Sequence, residues 1–393
     1  MGTLFEPTAE HAALRELARR FAEREVAPGA MARDCEERSD LALLRALGAL
    51  GLLGITIPEA YGGVEMDAVA AVIVHEELAW ADAGFALAYL SHSILFLNGL
   101  ARHGDPDRWR DLLAEGCRGQ RIGAVAISES EAGTDVLAMR TRARWEGDRY
   151  ILNGVKLWIT NGAFDEGHPA DVVLVYARTS DQGTRGLSLF LVERGMPGFF
   201  LGRSIRGKLG MRSASCGELR FEGCALSPER RIGAEGAALM QMLRTLELER
   251  ITLAAIGTGI ALRALEIMNR YASDRQVEGR PLREYGQIQR HIAESYAELM
   301  AARAYLYATA AALDLERPGR GLGADGSKLV TASTAKAVAD RAIQVLGGNG
   351  YVADYEVERL WRDARLLAIG GGSNEALQKN ITRNLSRERG RLS

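Results

Sequence analysis

The spacing of apolar residues changes period twice along this chain, and that change limits the architectures open to it. From residue 1 to about 120 the apolar positions recur every three or four residues. "AALRELARRFAEREVAP" carries Leu14, Leu17 and Phe21 on one face and stops before Pro28, while "SDLALLRALGALGLLG" opens on the cap-type pair Ser39 and Asp40. A longer helical pattern runs from about Asp67 to Gly104, interrupted near Asp82 to Phe85. From about 121 the pattern shortens: "DVVLVYART", "GLSLFLVERG" and "GELRFEGCAL" are rich in β-branched and aromatic residues and bounded by Gly, Asp or Ser, which predicts strands. Helical spacing returns from about 235, broken by "RPGRGLGADGSK" (317–328) and "GGNG" (347–350). The expected fold is therefore α+β in three parts: an N-terminal helical domain (1–120), a middle β-barrel or sandwich domain (121–232) and a C-terminal helical bundle (233–393).

Bulk composition narrows the partners. With 393 residues the chain is too long for one ordinary core. A net charge of −2 gives no electrostatic footprint for nucleic acid or an anionic membrane, which leaves small ligands. Cys35, Cys117, Cys216 and Cys224 lack the paired spacing of a zinc site or a secreted disulfide framework, and the six histidines show no metal-like pairing. No leader or membrane span is read, so a cytoplasmic location is expected. The arginine-rich, alanine-rich composition suggests a bacterial genome.

Within "RTLELERITLAAIG" (244–257), one carboxylate is out of place. A helix there puts Met242, Leu246, Glu249, Leu253, Ile256 and Ile260 on one stripe. Glu247 has Arg244 and Arg250 at three residues on either side, two local ion-pair partners. Glu249 has only Leu246, Thr252, Thr245 and Leu253 at those distances. On periodicity alone it is either a partly exposed glutamate, one satisfied by a distant arginine, or a buried base.

Two further stretches carry chemistry. "AISESEAGTDV" (126–136) gathers small residues and hydroxyls into a loop, and "NGVKLWITNG" (153–162) sets Trp158 and Thr160 between turn residues. Such a loop offers hydroxyls and backbone N–H groups to a flat polar ring, with an indole against it. Trp158 read alone is equally a core or strand-edge residue. "GTG" (257–259) lacks the third glycine of a dinucleotide fingerprint and reads as close helix packing.

"GLLGITIPEAYGG", "AISESEAGTDV", "YILNGVKLWITNG", "KLGMRSASCGELRFEGC", "QVLGGNGY" and "RDARLLAIGGGSNEA" occur in the order found in the acyl-CoA dehydrogenase family, which the chain resembles over nearly its whole length. The resemblance implies a three-domain flavoenzyme with a C-terminal four-helix bundle, usually a homotetramer. Such an enzyme binds FAD without a Rossmann fold, oxidises the Cα–Cβ bond of an acyl-CoA thioester and passes the electrons to an electron-transferring flavoprotein.

Carried over by position, the resemblance assigns Ile127, Ser128, Trp158 and Thr160 to the flavin ring, and Thr134 to cofactor and substrate. Arg275 and Gln344, Val345, Leu346, Gly347 and Gly348 would reach the FAD of a neighbouring subunit, with Ser373, Asn374 and Glu375 as another FAD contact. Thr184 and Arg185 match a CoA-contacting pair; Met240, Glu247, Arg250, Leu367 and Gly372 complete the expected substrate side. Many members carry the catalytic glutamate where this chain has Gly371. The isovaleryl-CoA and long-chain branches place it on a helix within an "ER" pair, the place of Glu249 and Arg250 here. Glu249 would then take the α-proton while the β-hydride goes to flavin N5. The backbone N–H of Gly371 would polarise the thioester oxygen together with a ribityl hydroxyl.

Some positions depart from the family pattern. Glu278 replaces an aromatic and Gly286 a glutamine in the FAD segment, "AFDEGHP" lengthens the turn after "WITNG", and Leu367 and Met240 replace substrate-side tyrosines. An isovaleryl substrate is therefore not implied. Two other readings stand: a dehydrogenase of acyl groups tethered to a carrier protein, and a non-catalytic or DNA-binding relative, suggested by arginines at 383, 387, 389 and 391.

Overall fold

The computed structural model describes residues 2–165, 168–317 and 321–386, with side chains except at Asp165. The arginines at 387, 389 and 391, the centre of "AFDEGHP" and part of "RPGRGLGADGSK" lie outside them. Among these residues seven α-helices come first: α1 (Ala9–Phe21), α2 (Ala30–Glu36), α3 (Leu41–Ala49), α4 (Ala68–Ala81), α5 (Ala83–Leu90), α6 (Asn98–His103) and α7 (Arg110–Cys117). Asp40 caps α3 by accepting from the Leu43 N–H. The expected interruption falls at Asp82, which leaves the helical region at φ −155° and caps α5 by accepting from the Phe85 N–H.

Ten strands follow: β1 (Gly123–Ala126), β2 (Arg142–Glu146), β3 (Arg149–Thr160), β4 (Ala163–Asp165), β5 (His168–Pro169), β6 (Val172–Arg178), β7 (Leu187–Glu193), β8 (Phe199–Ser204), β9 (Cys216–Leu226) and β10 (Arg231–Ile232). Eight of them form one sheet in the order β10-β7-β6-β2-β3-β9-β8, with β1 parallel to β6, while β4 and β5 pair as a hairpin. The stretch 153–160 is thus the end of a long strand rather than a loop. A register shift between Lys156 and Ile159 bulges it, and Trp158 sits at φ +60° in that bulge.

The chain then returns to helix: α8 (Ala238–Asp274), α9 (Gly286–Ala311), α10 (Leu322–Leu346), α11 (Val357–Leu366) and α12 (Asn374–Leu385), with the small hairpin β11 (Gln276–Val277) and β12 (Arg280–Pro281) between α8 and α9. Glu278 and Gly279 turn this hairpin at φ +49° and +81°. The 37 residues of α8 form the axis of the bundle and pack against α4, α9 and α10. Gly259 permits that approach, since a Cβ there would meet the Glu76 carbonyl oxygen at 2.4 Å. Ala83–His103 and α8 are long and apolar enough to cross a membrane, but 89% and 78% of their apolar windows are buried inside the protein, which makes them core helices here.

Buried ion clusters tie the three parts together. Arg15 on α1, Arg303 and Tyr307 on α9, and Thr258 on α8 all bond to Glu76 on α4. Asp82 receives Arg33 and Ser213, while Asp363 on α11 accepts from the Met211 N–H. Both clusters satisfy charges that would otherwise be costly to bury.

Candidate active site

Glu249 lies a third of the way along α8, where the helix passes under the sheet. It is 9% exposed, and its carboxylate makes no hydrogen bond or salt bridge among the described residues. It shares a closed cavity of about 10 Å³ with Leu246 and Thr245 of its own helix, Ile127 after β1, Leu174 and Tyr176 of β6, and Leu95, Gly99 and His103 from the N-terminal helices. That space holds about one water. Burial pushes the Glu249 carboxyl up to about 7, while the charges of Arg250 and Lys328 pull the other way. No cation stands within ion-pair distance of it among the described residues, so the charges of Arg250 and of Lys328 on α10 act on it only at longer range.

The segment after α11 closes over the same spot. Gly371 and Gly372 have φ of +64° and +95°. A Cβ on Gly371 would stand 3.5 Å from Glu249 Oε1 and 2.2 Å from Leu253 Cδ1, so the turn is held to glycine by its backbone and by its neighbour. Arg250 Nε donates to the Gly371 carbonyl at 3.2 Å, and its Nη1 pairs with Asp325 on α10 at 2.6 Å. The expected Arg250–Glu247 pairing is thus replaced by a bridge between helices. Glu247 Oε1 instead accepts from the Gly321 N–H.

Ile127 and Ser128 are fixed by a buried pair. Lys156 Nζ bonds both the Ile127 carbonyl at 2.8 Å and Glu129 Oε1 at 2.9 Å, and the Ser128 carbonyl accepts from the Leu157 N–H. Burial lowers the lysine to about 8, with Glu129 opposing. Beyond this anchor Trp158 is 55% exposed, and the hydroxyls of Ser128 and Thr160 have no hydrogen-bond partner among the described residues. Asn374 Oδ1 is buried without a partner among the described residues, beside Ser373, whose hydroxyl caps α12. An open indole, free hydroxyls and an orphaned buried acceptor fit a large polar aromatic cofactor, and the anchoring pair lets them wait for it in place.

Other expected site residues lie elsewhere. Arg275 stands past the end of α8, about 39 Å along the axis from Glu249. Gln344, Gly347 and Gly348 are exposed at the end of α10, whereas the side chains of Val345 and Leu346 point into the core, which leaves only their backbone free for a ligand. Leu367 packs against Gly257 in the bundle and does not line the Glu249 cavity. Thr134, Thr184, Arg185, Met240 and Glu375 are exposed. His103 and Tyr176 were not singled out in the sequence. His103 Nε2 lies 2.9 Å from the Thr245 hydroxyl, and burial depresses its imidazole to about 4. Its only trace was the spacing of Leu95, Gly99 and His103 along one helical face.

Three family models match the chain end to end: acyl-CoA dehydrogenase N-terminal domain at residues 8–120, middle domain at 124–224 and C-terminal domain at 236–386. Isovaleryl-CoA dehydrogenase, mitochondrial, of Oryza sativa subsp. japonica is 37% identical over 388 residues, 98% of this chain and 93% of that protein. Butyryl-CoA dehydrogenase from Megasphaera elsdenii superposes with a TM-score of 0.92 at 32% identity, covering 97% of this chain and 99% of that one. The prolyl acyl carrier protein oxidase AnaB superposes with a TM-score of 0.90 at 29% identity, covering 96% and 99%.

Proposed function

The chain belongs to the acyl-CoA dehydrogenase family, and from that membership we propose that it removes the α and β hydrogens of an acyl-CoA thioester with Glu249 as the base. It is an oxidoreductase of the acyl-CoA dehydrogenase type with FAD as its cofactor. The observation that carries the reading of Glu249 is a carboxylate without a bonded partner among the described residues, buried in a largely apolar cavity that raises its pKa to about 7.

A thioester α-proton is weakly acidic, so its removal needs a base whose pKa lies near the working pH. Burial gives Glu249 that property. The Gly371 N–H, which makes no hydrogen bond among the described residues, stands on the turn facing the base and donates to the thioester oxygen as charge develops there. Ser128, Thr160, Trp158 and Asn374 would hold the cofactor, with Ile127 beside them on the wall of the Glu249 cavity. Bound FAD supplies the acceptor for the hydrogen leaving the β-carbon. The apolar walls of Leu95, Leu174 and Leu246 exclude water, which keeps the base desolvated. Thr184 and Arg185 take the CoA end. An electron-transferring flavoprotein reoxidises the enzyme. Arg275 is too remote for the same cofactor and, with the exposed part of 344–348, serves that of another protomer in a homotetramer.

Because the base must be ionised, kcat/KM falls as pH drops through about 7, roughly fiftyfold between pH 7 and pH 5. A pH series with saturating electron acceptor measures that limb.

A second reading changes only the carrier, and the likeness to a prolyl acyl carrier protein oxidase favours it. Anaerobic flavin bleaching by matched CoA and carrier-protein thioesters separates the two. Bleaching by a CoA thioester at micromolar concentration supports the first reading. Bleaching by the carrier-bound acyl group alone replaces it with the second.

A further inference from the structure

Lys328 is the buried titratable group to which the reaction above gives no part. It stands on α10 at 1% exposure, with Nζ donating to the Gly372 carbonyl at 2.7 Å. Among the described residues no carboxylate lies within ion-pair distance of it. A buried ammonium without a bonded counter-charge is costly, and burial does lower Lys328, to about 8. The largest opposing influence is the charge of Glu249, ahead of Asp325 and Glu375. Arg250, the other cation near the base, is spent on Asp325 and the Gly371 carbonyl. Two cations from two helices therefore grip successive carbonyls of the Gly371–Gly372 turn, and only Lys328 has no carboxylate of its own.

We propose that Lys328 is a positioning residue for the α-proton transfer. Its ammonium holds the Gly371–Gly372 turn against α8 through the Gly372 carbonyl and faces the Glu249 carboxylate as its long-range counter-charge. The inference rests on the reading of Glu249 as the base. Other titratable or charged groups around Glu249 are Arg250 on α8, Asp325 on α10, His103 on α6 and Tyr176 on β6. Arg250 and Asp325 are paired with each other, and burial holds His103 neutral and raises Tyr176 further above its usual range. None of these replaces the charge of Lys328.

The test is the pH dependence of kcat/KM for flavin-loaded Lys328→Gln, Lys328→Met and Lys328→Arg, using the acyl thioester that best bleaches the wild-type flavin. Glutamine keeps a donor for the Gly372 carbonyl but removes the charge, so the acidic limb moves to higher pH and the rate at pH 6 falls about tenfold, with recovery at pH 9. Methionine removes both and stays slow at pH 9 as well. Arginine restores the limb to its wild-type position. Glutamine and methionine variants that follow the wild-type pH profile would overturn the proposal, and so would an arginine variant displaced as far as glutamine. Glu249→Gln separates the failures. If that variant still turns over, the base assignment falls; if it is inactive while the Lys328 variants track the wild type, only the role of Lys328 falls.

Discussion

Glu249→Gln, purified with its flavin, turns over about a hundred- to ten-thousandfold more slowly than the wild type and yet unfolds at a higher temperature at pH 8. The first effect follows from removing the base from a step in which a positioned base contributes about 10² to 10⁴. The second follows from linkage. The folded-state pKa of Glu249, about 7, lies above its ordinary value of 4.5, so the native protein binds more protons than the unfolded chain between those values. Stability contributed by this group is present below pH 4.5 and lost as pH rises through 7. At pH 8 the wild type carries the whole penalty, about 3 kcal/mol at most for a shift of this size. Glutamine carries none of it. Thermal unfolding of both proteins at pH 5 and pH 8 measures the difference, which should widen toward the higher pH. A variant that is inactive and also less stable at both values would point to collapse of the helix rather than loss of a base.

The other large effect is expected at Gly371. Gly371→Ala places a Cβ in a left-handed backbone and 2.2 Å from a methyl of buried Leu253. The backbone strain and the overpacking together cost about 2–4 kcal/mol. The turn must retreat from α8 to accommodate the methyl, which carries the Gly371 N–H away from Glu249. The melting temperature falls, and kcat falls more than tenfold while flavin content is kept. Retention of wild-type kcat in a protein of lowered stability would remove the turn from the catalytic account. The same contacts explain why a carboxylate at 371 and one at 249 do not coexist here: both would compete for the same few ångströms.

Much of the fold was legible because it depends on local periodicity. The change from helical spacing to short β-branched runs, the Asp40 cap and the break at Asp82 are each written in a few adjacent residues. The stripe through Glu249 was legible for the same reason. Its surroundings were not, because periodicity names the buried face of α8 without naming what faces it. Lys328 comes from a helix 79 residues downstream, Tyr176 from a strand and His103 from the N-terminal part. Arg250 was misassigned on the same ground: its neighbour Glu247 satisfied the local rule, but Asp325 across the bundle took the guanidinium. At 153–160 the turn residues suggested a loop where a bulge within a long strand achieves the same exposure of Trp158. Val345 and Leu346 show the limit of transfer by motif, since a segment can match throughout while its alternate side chains face the core.

The central claim is that Glu249 removes the α-proton, and the most direct test follows that proton. Incubated anaerobically in D2O with an acyl-CoA thioester, the flavin-loaded wild type should exchange the α-hydrogens for deuterium, at a rate that climbs as pH rises through about 7. Glu249→Gln, binding the same thioester, should leave them unexchanged. Exchange by the variant at the wild-type rate would contradict the account.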